Sequence, residues 1–552
     1  MIKENLSRRS FLTISAMTAA CAALDWSKIS ASASKLGPKD RYPTVVIGAG
    51  LGGLSCAAHL AKQGIPVTVL EQHDIPGGYA TSFDRAKGKF TFEVSLHGSS
   101  INNNATARIL KDLGVLEKLK LVELPEVYHL KTPDFDFSAP SRDPQAFIRI
   151  LSQRFPNEQE GIRGFVDEII GVAEEGNRLH QKKGQFIKAL FPVQYPRMWK
   201  IRDKTLAELL DDYVRDPALG QCLTALWGYY GLPPSKLSAF YFAVATGEYL
   251  QNGSFYIKPN SQALSNALVE VIEAYGGKVL FEKRVEAVQV KNGRVQGVSL
   301  ADGKTLPARA VVGNASALKI FQEMLPPEAV PADYLKRLQH YRPSISTFIV
   351  WLGLNKALRG RIKGFGIHVL SGHSPDADYQ SALEGRIDRG SFGVTIYNNL
   401  FADYSASGTS NVMLLFLCGY EPWRKFEADY QAGRKEAYHK EKERWTELLI
   451  KRAEERVIPG LSSMIDVREA ATPLTNRRFT GNPGGAIYGF EQSMENAFMT
   501  RLQNRTPIKG LYLSSAWGNP GGGYAGVLRA GETAFQNMME DWGKEDLGAE
   551  KS

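Results

Sequence analysis

The stretch TVVIGAGLGGLSCAAHLAKQGIPVTVLEQ, residues 44–72, decides the fold. Thr44 to Ile47 form a short apolar strand, and a glycine turn follows at once. Leu51, Leu54, Ala57, Ala58, Leu60 and Ala61 then recur at helical spacing until Gly64 ends the helix, and Val67 to Leu70 read as a second strand. With 52 glycines among 552 residues, a three-glycine pattern arises by chance roughly half a time, so the weight lies in the order of strand, turn, helix, strand and acid. That order is a dinucleotide-binding βαβ unit. Gly48 makes the tight turn, Gly50 admits backbone to a pyrophosphate, and Gly53 lets the helix pack on the strand. The helix N-terminus supplies amide donors and a positive dipole end to the phosphates. Glu71, ending the second strand, can accept both hydroxyls of an adenosine ribose and disfavours a 2'-phosphate.

Working outward, 43% hydrophobic and 23% charged residues are ordinary for a globular chain long enough to hold two or more cores. The formal charge of +9 is a modest cationic bias. It suits peripheral contact with an anionic membrane face, and no dense Lys/Arg cluster with interleaved aromatics points to nucleic acid. Ser7-Arg8-Arg9-Ser10-Phe11-Leu12, an apolar run to Leu24 and an A-x-A site at Ala31-Ser32-Ala33 together read as a twin-arginine export signal over residues 1–33. The partners expected from that reading are the twin-arginine translocase and a periplasmic or otherwise exported location. Cys56, Cys222 and Cys418 lie far apart in sequence and form neither a disulfide framework nor a metal cluster, so no metal is expected. Zinc-deaminase, nucleophile-elbow and Walker patterns do not occur.

In the middle of the chain, residues 205–250 read as helical and rich in aromatics, from Trp227 to Tyr249. Short strands are expected at Val279–Phe281, Val285–Val290, Val295–Leu300 and Ala310–Val312, with turns at Asn292-Gly293 and Asp302-Gly303. Apolar strands follow at Ser344–Leu352 and Asn411–Leu417, and a charged helix over about 424–457.

Downstream of Glu71 stand Gly77-Gly78, then Thr81-Ser82-Phe83, then FEVSLHG at residues 92–98. At the far end, residues 510–534 read GLYLSSAWGNPGGGYAGVLRAGETA, a strand, a glycine-rich turn and a helix. These segments, with residues 276–316 and 470–491 between them, resemble the phytoene desaturase, carotene isomerase and retinol saturase group of FAD-dependent oxidoreductases, part of the wider amine oxidoreductase superfamily. The resemblance runs in order over about residues 43–540. It implies that Gly77 and Gly78 flank the FAD pyrophosphate and ribityl chain, that the backbone of Val285 pairs with adenine, and that Gly522, Gly523 and Gly526 lie against the flavin. A helix beginning near Gly526 would aim its N-terminus at the isoalloxazine carbonyl edge. Ser95 stands where the family commonly has glycine, and Ser514-Ser515 replaces its usual Val-Gly or Ala-Gly.

Because a flavin carries the hydride chemistry itself, few titratable side chains are needed. His97, on the strand that passes close to flavin in the family, is the best single catalytic candidate. Tyr488 and Tyr524, in the two C-terminal glycine-rich stretches, are candidates for the substrate channel wall. The expected architecture is α/β: a Rossmann-like, doubly wound FAD-binding domain built from residues 41–130, 255–320 and 501–545, with an inserted α+β substrate domain from residues 131–254 and 321–500. The expected function is desaturation, saturation or redox-neutral isomerisation at carbon–carbon bonds of a hydrophobic polyene or unsaturated lipid. An amine-oxidase-like flavoenzyme, with an aromatic cage for a cationic substrate, is the rival enzyme reading. A flavin-bound binding protein without turnover is the third.

Overall fold

The computed structural model describes residues 43–102, 104–181, 188–497 and 500–549, so the export signal read at residues 1–33 lies outside the described residues. Strand β1 (Thr44–Ile47) leads through the glycine turn into α1 (Leu51–Lys62) and β2 (Val67–Leu70). Further on come β3 (Ser82–Arg85), β4 (Phe90–Glu93), β5 (Lys120–Glu123), β6 (Glu126–Lys131) and β7 (Asp136–Pro140). Helices α2 (Gln159–Gln181) and α3 (Ala239–Asn252), strand β8 (Phe255–Lys258) and helix α4 (Gln262–Ala274) precede β9 (Lys278–Leu280), β10 (Val285–Lys291), β11 (Arg294–Leu300), β12 (Thr305–Pro307) and β13 (Ala310–Gly313). The rest holds β14 (Ser346–Leu354), β15 (Gly366–Val369), β16 (Phe392–Ile396), β17 (Ser410–Cys418), α5 (Glu436–Arg456), β18 (Ile465–Ala471), α6 (Pro473–Thr480), β19 (Leu511–Leu513) and α7 (Tyr524–Ala549).

Five strands pair in parallel in the order β19-β13-β1-β2-β9. Their side chains alternate between two cores, as a pleat of period two requires. Val46, Val69, Val312 and Tyr512 face a core built with α1, α4 and α7, whereas Val45, Leu70, Val311 and Leu513 face one shared with the antiparallel sheet β10-β11-β12. Burial on both faces is why these strands read as unbroken apolar runs.

The second layer is a seven-stranded sheet, β18-β14-β17-β16-β15-β6-β7, antiparallel except where β15 meets β6. All nine residues of β14 are buried, because it lies between β17 and β18. Strand β6 belongs to this sheet although it begins at Glu126, before the expected residue-131 boundary. The single helix expected over 424–457 is instead three pieces, Glu421–Arg424, Glu427–Gln431 and α5, with Gly433 at φ 81° turning the chain between the last two. The seven-stranded sheet is tied to the β3-β4 hairpin where Trp351 of β14 donates its indole N–H to the Glu93 carbonyl at 2.6 Å.

Candidate active site

The glycine turn is held from three sides. Gly48, at φ 95°, donates its N–H to Leu70 O at 2.8 Å, and the Asn314 amide donates to Ile47 O at 2.9 Å and, from its side chain, to Gly48 O at 3.2 Å. A Cβ on Gly53 would lie 2.3 Å from Gly48 O, so the helix sits directly on the turn. Gly50 caps α1 without any side-chain hydrogen bond, which leaves the first-turn amides uncapped for an anion. Gly77 reaches across to the same turn, its N–H on Ala49 O at 2.8 Å, and a Cβ on Gly78 would stand 3.5 Å from Gly50 Cα. The two glycine clusters thus form one floor bare of side chains.

Glu71 is buried at the end of β2, with one carboxylate oxygen accepting from Ala49 N–H at 2.7 Å and the other from His73 N–H at 2.9 Å. Each oxygen keeps lone-pair capacity for a further donor such as a ribose hydroxyl. Val285 lies at the head of β10, paired with Leu300, beside Lys283, whose N–H is on Glu71 O at 2.7 Å.

The C-terminal turn is braced by Arg501, a residue with no local sequence signal. Its buried guanidinium donates to Gly518 O at 2.9 Å, Ala516 O at 2.8 Å and Asn496 O at 3.1 Å. Gly521 and Gly523 take φ of 125° and 80°, and a Cβ on Gly522 would meet Tyr488 Cα at 3.1 Å. Helix α7 starts at Tyr524 rather than near Gly526, because Gly523 O already accepts from Val527 N–H at 3.0 Å. A Cβ on Gly526 would fall 2.7 Å from Gly521 O, so glycine there lets the turn fold against its own helix.

Glu93 organises the strand leading to His97. This fully buried carboxylate accepts from Ser261 N–H (2.8 Å) and Oγ (2.6 Å), Tyr256 Oη (3.2 Å), and the amides of Ser95 and Leu96 (3.3 Å each). Every contact is a donor, which favours the ionised form against the burial that pushes its carboxyl upward. Ser95 Oγ, in the family's glycine position, donates to Tyr79 O at 2.7 Å and lies 3.2 Å from Tyr524 Oη.

His97 then projects into a cavity of about 2010 Å³, which is roughly twice the upper end of ordinary ligand pockets. Its Nδ1 is 2.9 Å from Tyr229 Oη, and its Nε2 is buried with no partner among the described residues. The Tyr229 ring meets His368 edge-on at 5.2 Å, forming a chain of three polar rings in a lining that also holds the apolar Phe240, Phe365 and Leu415. Burial, aided by His368, pushes His97 down to about 4, and burial likewise pushes His368 to about 4. Both imidazoles are therefore neutral at physiological pH.

The cavity is continuous from the dinucleotide turn to these rings. Gly48, Gly50, Glu71, Gly77, Gly78, Val285, His97, Tyr488, Gly522, Gly523, Tyr524 and Gly526 all line it, and Gly53 lies behind it as packing. Asn314, Tyr229, His368 and Arg501 complete the arrangement; Asn314 and Tyr229 fall within segments marked by the sequence, the latter only as part of the aromatic-rich run 205–250, whereas His368 and Arg501 do not. Among the described residues no group of three or more His, Cys, Asp or Glu could hold a metal ion. No described helix is long and apolar enough to cross a membrane.

A parallel sheet whose uncapped, glycine-floored turn opens into a deep apolar cavity defines a dinucleotide-dependent oxidoreductase. The chain belongs to the Flavin containing amine oxidoreductase family, which it matches over residues 51–539. It is 26% identical over 517 residues to prolycopene isomerase 1, chloroplastic, of an Oncidium hybrid cultivar, covering 87% of this chain and 81% of that protein. It is also 26% identical over 513 residues to human all-trans-retinol 13,14-reductase, covering 86% and 82%. An oxidoreductase of Methanosarcina mazei shares the fold at a TM-score of 0.58 and 18% identity, over 90% of this chain and 100% of that one. Membership of a flavin-containing family implies FAD, and the distant isomerase and reductase relatives agree with the branch read from the sequence.

Proposed function

We propose that the protein binds FAD and acts on carbon–carbon bonds of a long, apolar, unsaturated substrate, by isomerisation or desaturation. The observation that carries this reading is the single continuous cavity, with glycine-floored phosphate and flavin cradles at one end and an aromatic, aliphatic wall at the other. The amides after Gly50 would hold the pyrophosphate, Glu71 the adenosine ribose, Gly77-Gly78 the ribityl side, and Gly522 to Gly526 the flavin. FAD, when bound, supplies hydride or electron acceptance from carbon. This chain's residues then exclude water, align the chain against Tyr524 and offer one neutral acid–base group at His97 Nε2, its orientation fixed by the Tyr229 hydroxyl.

Purified holoprotein should be yellow, and organic extraction followed by mass spectrometry should recover an unsaturated lipid. Protein made with adequate FAD that shows no flavin absorption band would overturn the reading. With that lipid as substrate, His97→Leu should lower turnover on the order of 10²-fold at unchanged flavin content, and Tyr229→Phe should lower it less. Because His97 is held near 4, the rate should show no ionisation near pH 6.5; undiminished turnover in the Leu variant would make His97 packing alone.

The reading includes export of the folded flavoprotein, supported by the Ser7 to Ala33 pattern. Outside the cytoplasm there is no large NAD(P)H pool, which favours redox-neutral isomerisation or electron transfer to quinone or oxygen. Changing Arg8 and Arg9 to lysine should leave uncleaved precursor in the cytoplasm. Normal processing of that double variant would remove export from the proposal.

A further inference from the structure

Among the described residues, one cation facing the cavity has almost no partner. Arg529 stands on α7 one turn beyond Ala525 and Gly526, on the face that lines the cavity. At 1.5 Å per residue it lies about 7.5 Å along the helix axis from Tyr524. Among the described residues its only hydrogen-bond contact is Nη2 to His180 Nδ1 at 3.4 Å, and no carboxylate comes within ion-pair distance of it. The acids near enough to have paired with it are committed elsewhere. Glu532 is held bidentately by Arg108, at 2.8 and 2.7 Å. Glu248 accepts from Ser100 and Asn104 at 3.3 Å, from Asn252 at 3.1 Å, and from Asn177.

A guanidinium carries five N–H donors, and here only one is engaged, at the long limit. A desolvated charge with no ion pair is costly, and burial, only partly offset by the nearby Glu532 and Glu248 carboxylates, lowers Arg529 to about 10. His180 is pushed well below its ordinary value by burial and by Arg529, so it stays neutral and can accept at Nδ1. Lying off the apolar wall, the site offers a planar two-pronged donor to an oxyanion entering beside Tyr241, whose hydroxyl already donates to Gly522 O at 3.1 Å.

We propose that Arg529, backed by His180, binds the carboxylate end of an elongated unsaturated substrate and so fixes which carbon–carbon bond reaches Tyr524 and His97. This rests on the lipid-oxidoreductase reading above and specifies its substrate as an acid rather than a hydrocarbon.

Equilibrium dialysis of the holoprotein with arachidonic acid and with its methyl ester tests it. The acid should bind at least about tenfold more tightly than the ester, the scale of a charged hydrogen-bonded contact. Arg529→Gln should abolish that preference while leaving ester affinity and flavin content unchanged. Arg529→Lys, which keeps the charge but loses the fork, should reduce it several-fold, and this variant decides the matter should the Gln form not fold. Equal binding of acid and ester by the native protein, or an undiminished preference in a folded variant, overturns the anion site. Failure of both ligands to bind would instead overturn the underlying lipid reading.

Discussion

Gly52→Ala should yield protein with little bound flavin and a folding stability lowered by about 3 kcal/mol or more. The added Cβ would sit 1.7 Å from Ser514 O and 3.0 Å from Asn314 Oδ1. Ser514 cannot retreat, since it follows β19 in register with β13 and donates its N–H to Gly313 O at 3.0 Å. Nor can α1 move the other way. Gly52 O stands 2.4 Å from where a Cβ on Gly531 of α7 would be, and Ser55 Oγ donates to Leu528 O of that helix at 2.9 Å. Overpacking usually costs about 1–3 kcal/mol when side chains can adjust, and here backbone confronts backbone, so the upper end or beyond is expected. Gly64→Ala is the control. Its site is open, with only the φ of 70° to strain, and should cost about 1 kcal/mol. Flavin absorbance per protein and thermal melting report both variants. A Gly52→Ala protein with full flavin and an unshifted Tm would show that the two helices and β19 can separate after all.

Acid should unfold the protein between about pH 6.5 and 4, ahead of most carboxylate protonation. His59, His97 and His368 are each pushed from 6.5 to about 4, chiefly by burial. The unfolded chain takes up protons on these residues as pH falls through 6.5, while the folded chain does not. Stability is therefore fully present above 6.5 and is lost as pH falls towards 4. Each imidazole accounts for at most about 3 kcal/mol at the foot of that window, so three together rival a typical folding free energy of about 5–15 kcal/mol. Denaturant midpoints from pH 8 to 4 should be flat at first and then fall steeply. His59, stacked on Phe535 at 5.2 Å with its Nε2 unpartnered among the described residues, provides the internal check: His59→Phe should lessen the slope by about one proton. Unchanged midpoints down to pH 4.5 would mean that these rings are more hydrated than their burial implies.

How much of this was legible beforehand follows the reach of each interaction. The turn at Gly48, Gly50 and Gly53 and its acid Glu71 are settled within one contiguous stretch, and that local order survives into the structure. Gly52 was passed over because its φ is unremarkable and its constraint comes from Ser514, some 460 positions along the chain. Strands β5, β6 and β7 also escaped notice. They are short and carry mixed polar residues; β5 and β6 take partners from β8 and β15 far downstream, while β7 pairs only with the adjacent β6 at the sheet edge. The helix expected over 424–457 matched the charge pattern but overlooked the turn imposed at Gly433. In the site, His97 was visible through its motif, whereas Tyr229 and His368 lie on other segments and became its neighbours only through tertiary packing. Arg529 stood inside a quoted motif, yet nothing local says that its natural counter-ions are occupied elsewhere.

The order of the parallel sheet also bears on biogenesis. β19 and α7, which complete the cradle begun by β1 and α1, are made about 450 residues after them. At roughly 5–20 residues per second, a ribosome takes on the order of half a minute or more to cover that interval, during which the nascent chain has half a nucleotide pocket. The cradle is therefore complete only near the end of synthesis, and a product truncated before residue 511 lacks β19 and α7 however well its N-terminal βαβ unit has folded.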